Sequence, residues 1–160
     1  MLGAFAEGPT HGFAIAQMLA PDGELGRVWT LPRPVVYQVI QKLLQLGLIR
    51  PRGTETSRRG PVRTVLGVTP AGRAAVRRWL NEPVDHVRDV RSQLLLKLAL
   101  IDRQGGDPAA LIGAQMAKVR SQLDSLTKAR KATDGFDRVI LEWRIAGSRA
   151  TLEFLRVVGI

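Results

Sequence analysis

The stretch RPRGTETSRRGPVRT, residues 50–64, contains five arginines and a single acid, Glu55. Guanidinium groups on a short segment rich in Gly, Pro, Ser and Thr can pair with phosphates, and each neutralised phosphate releases condensed counterions. The alternative to phosphate contact is a charged loop that is exposed only to solvent. The arginines are Arg50, Arg52, Arg58, Arg59 and Arg63, of which the last four are predicted DNA contacts.

A second group of polar side chains precedes this stretch, on the outer face of a helix predicted over residues 33–46. Apolar residues recur there at helical spacing, which predicts a buried face of Val36, Val39, Ile40, Leu43 and Leu46. The opposite face contains no acid and consists of Pro34, Tyr37, Gln38, Gln41, Lys42 and Gln45.

Amide and hydroxyl groups on this outer face can hydrogen-bond base edges and phosphate oxygens. We predict DNA contacts for Arg33, Tyr37, Gln38 and Gln41 at the groove-facing end of the helix. Lys42 is predicted to contact the DNA backbone or solvent. Packing of Tyr37 against the neighbouring hairpin is an alternative, and the two roles are compatible.

Local signals arrange these residues as a winged helix-turn-helix. A helix over residues 2–6 and one over 11–20, with Thr10 as its N-cap, precede the 33–46 helix. The segments LIRPRGTET and VRTVLGVT predict two strands joined by SRRGP, and Thr69 is predicted to cap the helix that follows. The arginine-rich hairpin is then the wing of a mainly α fold with a small β-hairpin.

Three further helices are predicted after Pro83, over residues 88–103, 108–131 and 135–158. The last two repeat apolar residues at alternating steps of four and three, a heptad seam that can pair with its neighbour or with a second subunit. We predict a DNA-binding domain over residues 1–83 and a helical dimerisation domain over residues 84–160. The predicted interface residues are Ile112, Met116, Val119, Leu123, Leu126, Ile140, Trp143 and Phe154.

The charge balance favours a polyanionic partner, because the 160 residues have a formal net charge of +10. Residues 1–83 contain 11 lysines and arginines against 5 acids, and residues 84–160 contain 13 against 9. The sequence has no cysteine, which excludes disulfides and thiolate metal sites. It has no apolar run of membrane-spanning length and no signal peptide, so we expect a cytoplasmic protein without a membrane role.

Residues suited to catalysis are scarce. The histidines are His11, predicted as a packing and turn residue, and His86, predicted with Asp85 as an exposed linker pair rather than a dyad. The sequence contains no HExxH motif, no glycine-rich phosphate loop and no nucleophile elbow. We therefore predict no enzyme activity, no metal and no cofactor.

Four fragments, in the right order, resemble the PadR family of transcriptional regulators. EGPTHGFAIAQML is similar to that family's Gly-Pro-x-His-Gly-Tyr opening, with Phe13 as the aromatic, and VVYQVIQKLLQLGLI resembles its recognition helix. GVTPAGRAAVRRWL resembles the segment after the wing, and LLLKLALI with the following helices resembles the dimerisation region. The sequence departs from the family at Leu66, where a tyrosine is expected, and its shorter first helix leaves open a start upstream of Met1.

The resemblance implies a homodimeric repressor that binds a pseudo-palindromic operator in double-stranded DNA. It also implies release by a small-molecule effector, aromatic, phenolic or drug-like, near the dimer interface. There the indole of Trp143, most simply part of the dimer core, could stack on a flat ligand. Two other interpretations stay open: a regulator controlled by a protein partner, and a basic protein that binds nucleic acid without sequence preference. The sequence does not identify the operator, the target gene or the effector, and it does not distinguish repression from activation.

Overall fold

The structure, a computed structural model, describes residues 1–56 and 62–159. The chain divides into two compact units. Helices predominate and accompany one small antiparallel sheet, which confirms the predicted mainly α, winged-helix fold class. The N-terminal unit comprises Met1–Leu80 and Leu96–Gly106, and the C-terminal unit comprises Asn81–Leu95 and the residues from Asp107 onward.

The elements follow the order that the sequence predicts, with additions. The first seven are α1 (Leu2–Ala6), β1 (Thr10–His11), α2 (Gly12–Met18), α3 (Arg33–Gln45), β2 (Ile49–Glu55), β3 (Arg63–Val68) and α4 (Pro70–Asn81). A 3₁₀ turn (Val87–Asp89), a π-helical turn (Val90–Leu94), α5 (Leu95–Arg103), α6 (Ala109–Arg130) and α7 (Gly135–Val158) follow.

The prediction of one continuous helix over residues 88–103 is wrong. The backbone N–H of Asp89 donates to the carbonyl of His86 at 2.9 Å, which closes a tighter 3₁₀ turn before the wider π-helical turn begins. Regular α-helix starts only at Leu95. The apolar spacing of this segment is preserved, since Val90 and Leu94 are both buried.

Helix α3 buries one side in the core of the N-terminal unit. Val36, Ile40 and Leu43 are buried, as the helical spacing predicts. Leu46 is 57% exposed, contrary to the prediction, because the helix ends at Gln45 and Leu46 already caps it. The rest of this core includes Phe5, Ile15, Leu19, Leu25, Ile49, Leu66, Val68, Val76, Leu96 and Leu100.

Strands β2 and β3 form the predicted hairpin, and β1 adds a third strand beside β3. The β2–β3 register shifts at Arg52, which faces no residue of β3 and therefore forms a β-bulge. Further along the ladder, Glu55 lies opposite Arg63. A two-residue strand has no measurable alternation, which is why the sequence predicted only the hairpin.

His11, and not Thr10, is the N-cap of α2. Its Nδ1 accepts a hydrogen bond from the backbone N–H of Ala14 at 3.0 Å. The helix accordingly begins at Gly12 rather than at residue 11. The prediction of Thr10 as the cap is wrong because Thr10 pairs with Leu66 in the sheet, one residue before the helix can start.

Thr69 connects the end of α3 to the start of α4. Its hydroxyl accepts from the N–H of Gly72 at 3.1 Å, which confirms it as the cap of α4, and donates to the carbonyl of Gly47 at 2.8 Å. Gly47 has a φ of 65°, a left-handed conformation that favours glycine after a helix. The chain thereby turns from α3 into β2 at a fixed point.

Helix α5 is held in the N-terminal unit by burial and by charge. Leu96 and Leu100 are buried in its core. Arg103 donates to both carboxylate oxygens of Glu7 at 2.7 Å and also pairs with Glu24. The hydrogen bonds to Glu7 raise the pKa of Arg103 above its ordinary value. The segment predicted as the start of the dimerisation domain therefore includes a helix that clusters with the N-terminal unit.

The C-terminal unit is built on α6 and α7. Gln115 of α6 is buried, and its amide oxygen accepts from the N–H of Val84 at 2.7 Å while its amide nitrogen donates to the Val84 carbonyl at 3.2 Å. This buried pair satisfies the backbone of the segment after Pro83. The buried side of α7 consists of Ile145, Ser148, Thr151, Leu152 and Leu155.

We expect Thr69→Val to lower the free energy of unfolding by about 1 kcal/mol, the usual effect of losing an N-cap hydroxyl. The substitution keeps the β-branch and removes the hydrogen bonds of the hydroxyl to Gly72, Gly47 and Leu48. Urea denaturation measures the change. Thr54→Val, at an exposed position of β2, is the matched control and should change stability by less than about 0.5 kcal/mol. Equal losses in both variants would contradict the assigned role of the Thr69 hydroxyl.

Candidate nucleic-acid interface

The outward side of α3 is polar and free of acids. Its six residues, Pro34, Tyr37, Gln38, Gln41, Lys42 and Gln45, are all exposed. Helix geometry explains the separation, because Val36, Ile40 and Leu43 occupy the buried side at spacings of three and four. The helix therefore presents amides, a phenol and an ammonium group that can each hydrogen-bond a nucleic acid.

The ring of Phe13, from α2, contacts two guanidinium groups from two other elements. The Cζ of Arg33, from α3, is 5.2 Å from the centre of the Phe13 ring, and the Cζ of Arg63, from β3, is 4.6 Å from it. Arg33 also lies 5.8 Å from the centre of the Tyr37 ring. Rings attract cations at these distances through their quadrupole. We call Phe13, Arg33 and Arg63 the Phe13 platform.

His11 lies beside the Phe13 platform. Its ring is neutral in the arrangement in which Nδ1 caps α2. An accepting Nδ1 has no proton, so the neutral ring has its proton on Nε2. That Nε2 is 3.7 Å from a carboxylate oxygen of Glu55 and 3.3 Å from Nη1 of Arg63. His11 therefore lies between the carboxylate of Glu55 and the guanidinium group of Arg63.

A groove of about 470 Å³ runs between α3 and the wing strands. Its apolar side includes Ile40, Leu44 and Leu66, while arginines and Tyr37 border it. We call it the α3–wing groove. Its lining residues are His11, Gly12, Phe13, Arg33, Tyr37, Ile40, Gln41, Leu44, Pro51, Val62, Arg63, Thr64 and Leu66.

A comparison with protein families finds a match over the part of the chain that contains this surface. A family described as "Transcriptional regulator PadR-like family" matches residues 1–78, the stretch that contains α1 to β3 and most of α4. Residues 1–78 match the PadR-like family. Its members are transcriptional regulators and not enzymes, so the resemblance read from the sequence is confirmed.

Solved structures of PadR from Bacillus subtilis are similar to this chain at low identity. PadR in complex with operator DNA is 18% identical, with a TM-score of 0.49, over 99% of this chain and 95% of that chain. PadR in complex with p-coumaric acid is 20% identical, with a TM-score of 0.46, over 98% of this chain and 92% of that chain. No curated protein sequence matches significantly.

The structure brings some of the predicted contact residues together. Arg33, Tyr37, Gln41 and Arg63 all border the α3–wing groove. The other predicted residues on the described part of this surface are exposed, and Arg52 projects from the bulge of β2 across Gly67. Arg58 and Arg59 lie outside the described residues. These positions leave contact with DNA as a prediction for each residue.

Sequence reasoning missed Phe13 and His11 as parts of this site. Phe13 reads as one apolar residue of an amphipathic helix, and His11 as a turn residue. Their involvement depends on β3, which lies about fifty residues further along the chain. The signal that could have found them is the adjacency of His, Gly and an aromatic before a helix, combined with the excess of arginine in the wing.

The predicted interface residues fall into two groups in the C-terminal unit. On α6, Ile112 and Val119 are buried within the unit, while Met116, Leu123 and Leu126 are partly buried. On α7, Trp143 is 76% exposed, Ile140 is 38% exposed, and Phe154 is partly buried. Much of the α6 seam is therefore buried within one chain, whereas most of the α7 seam is exposed.

Asp85, a metal site and a membrane span were also considered from the sequence, and the described residues show the following for each. Asp85 pairs with Lys118, and the side chain of Gln122 donates to the Asp85 carbonyl at 2.7 Å. Across residues 1–56 and 62–159, no three His, Asp or Glu side chains are placed to hold a metal ion. Within the same ranges, every helix is too short or too polar to cross a membrane.

We expect Gly12→Ala to displace the ring of Tyr37. A Cβ at Gly12 would lie 2.9 Å from Cε1 of Tyr37 and 3.0 Å from Cδ1 of Ile40, so one of these side chains has to move. The free energy of unfolding should fall by about 1 kcal/mol, the lower end of overpacking effects. The protein contains one tyrosine, so fluorotyrosine labelling gives a single ¹⁹F resonance that reports the displacement.

Gly8→Ala is the matched control, because no atom lies within 4 Å of a Cβ placed there. Its ¹⁹F resonance should coincide with that of the wild type. A Gly12→Ala spectrum that also coincided would mean that Tyr37 is not held against α2.

Proposed function

We propose that the chain is a sequence-specific DNA-binding repressor that acts as a homodimer in the cytoplasm. The observation that carries this proposal is the exposed, acid-free side of α3 beside a wing rich in arginine. The match of residues 1–78 to a family of transcriptional regulators supports the same conclusion. The nonspecific nucleic-acid binder and the regulator controlled by a protein partner are the alternatives that the tests below distinguish.

In this proposal α3 enters the major groove of DNA. Gln38 and Gln41 contact base edges there, since glutamine amides pair well with adenine. Arg33 and Tyr37, at the first turns of the helix, contact the groove edge and the backbone. Lys42 and the wing arginines, among them Arg52, Arg58, Arg59 and Arg63, neutralise phosphates and determine register and affinity without reading the sequence.

The dimer forms in this proposal through the exposed seam of α7. Phe136 and Trp143 are each 76% exposed and Val157 is 65% exposed, on a side of α7 distinct from its buried side. Large apolar side chains that repeat at steps of four and three match a partner helix with the same repeat. A two-fold axis there would present two copies of α3 to operator half-sites about 34 Å apart.

Regulation is proposed to come from a small aromatic, phenolic or drug-like effector. A ligand shifts DNA binding only if it favours one separation of the two recognition helices over another. Trp143 is the proposed contact, because an indole on the dimer seam can stack on a flat ligand. An effector that stacks there should change the tryptophan fluorescence and the DNA affinity at the same ligand concentration.

We expect DNA from directly upstream of the protein's own gene to bind more tightly than a scrambled duplex. Gln38→Ala and Gln41→Ala should each reduce this preference, because a good bidentate contact discriminates by about 1–3 kcal/mol. Arg58→Ala and Arg59→Ala should weaken both duplexes equally and reduce the salt slope by about one unit each. Fluorescence anisotropy across a salt series measures all of these quantities.

Two exposed residues away from the groove provide the controls: Gln104→Ala and Arg27→Ala. Each should bind both duplexes as the wild type does. Equal affinity of the wild type for the two duplexes, unchanged by the glutamine variants, would favour the nonspecific nucleic-acid binder instead.

We expect Trp143→Glu to dissociate the dimer. Placing a carboxylate at the centre of an apolar seam should raise the dimer dissociation constant by at least about thirtyfold, the effect of losing an interface hot spot. Sedimentation equilibrium measures it. Arg149→Glu, an exposed position on another side of α7, is the control and should remain dimeric. A dimeric Trp143→Glu variant would exclude the α7 seam as the interface.

A further inference from the structure

The Phe13 platform brings two positive charges together from elements that meet only in the folded chain. Arg33 belongs to α3 and Arg63 to the wing strand β3, yet both guanidinium groups lie over one ring. The distance between the two Cζ atoms is therefore at most the sum of their distances to the ring centre. Like charges at this separation repel, so the arrangement suits a protein that holds an anion between them.

The charged groups around Arg33 and Arg63 do not neutralise both arginines, so one further anion can balance the remaining positive charge. Glu55 faces Arg63 across the β2–β3 ladder and lies 3.7 Å from His11, so it balances part of the charge in the free protein. His11 is neutral while it caps α2 and adds no third cation. One acid against two guanidinium groups leaves a net positive pair at the border of an open groove.

The chemistry of the pair selects a phosphate as that anion. Guanidinium forks donate two parallel hydrogen bonds, and the two free oxygens of a phosphodiester can accept from two arginines at once. Contact with the aromatic ring limits the motion of both forks, so less side-chain entropy is lost when the phosphate binds. A lysine at either position would be a point charge without this planar stacking.

We propose that Phe13 is a positioning residue for DNA binding, whose ring holds Arg33 of α3 and Arg63 of the wing on one and the same backbone phosphate. The inference rests on the proposed function and goes beyond it, because it makes the helix and the wing act on a single phosphate. Phe13 does not contact DNA in this arrangement. Its ring links the base-reading helix to the backbone-gripping hairpin.

The first test compares Phe13→Leu with Phe13→Tyr by fluorescence anisotropy on the upstream and scrambled duplexes. Loss of two exposed cation–π contacts should weaken binding by about fivefold. Because a backbone contact carries no sequence information, both duplexes should be affected equally. Phe13→Tyr keeps the ring and should bind as the wild type does. Wild-type affinity in Phe13→Leu, or a loss in Phe13→Tyr equal to that in Phe13→Leu, would overturn the proposal.

The second test counts phosphates with Arg33→Ala, Arg63→Ala and the double variant across a salt series. Each phosphate neutralised on duplex DNA contributes about 0.9 to the salt slope. A shared phosphate predicts that the double variant loses about 0.9 of slope. Its loss of affinity should then be smaller than the two single losses combined. Additive losses and a slope change of about 1.8 would mean two separate phosphates and would refute the shared clamp.

These tests separate the clamp from the proposed function. The scrambled duplex reports the clamp even if the upstream duplex shows no preference, which would contradict sequence-specific repression alone. A wild-type protein that binds neither duplex at low salt would contradict both proposals. Thermal unfolding of Phe13→Leu checks its fold, and if that variant is unstable, the arginine double-variant cycle decides the question by itself.

Discussion

The orientation of α3 is the constraint on which the rest of this interface depends. Burial of Val36, Ile40 and Leu43 determines which side of the helix faces out. Successive residues differ by about 100° around a helix, so a shift of one position would turn the polar side toward the core. The same three side chains thus specify a packing arrangement and the set of groups that a nucleic acid would meet. An acid on the outer side would preserve the fold and change the partner.

Two connections fix the wing relative to that helix within the N-terminal unit. At one end, Thr69 bonds both the turn after α3 and the first turn of α4, so the base of the hairpin has a defined starting point. At the other, the ring of Phe13 lies against arginines from α3 and β3. Hydrogen bonds of the Thr69 hydroxyl hold the first connection, and the ring of Phe13 holds the second. A hairpin held at both places presents Arg63 beside α3.

The features that the sequence predicted are those with a local signature. The spacing of α3 and α7, the Val- and Thr-rich strands and the Thr69 cap each depend on residues within a few positions of one another. The features that it did not predict join distant segments: β1 pairs with a strand more than fifty residues away, and Gln115 satisfies the backbone of Val84. The π-helical turn at Val90–Leu94 preserves the apolar spacing, so the sequence pattern does not distinguish it from regular α-helix. At the candidate site, the outer residues of α3 followed from periodicity, whereas Phe13 and His11 required the fold.

The path of the chain between the two units has an evolutionary consequence. The N-terminal unit takes its final helix from Leu96–Gly106, after the chain has already passed through Asn81–Leu95. Leu96 and Leu100 complete its core, and Arg103 closes on Glu7. A gene fragment cut at residue 83 would therefore encode a winged helix that lacks part of its own interior. Such a domain cannot be exchanged as a cassette by a single recombination event, so its two units are expected to have been inherited together.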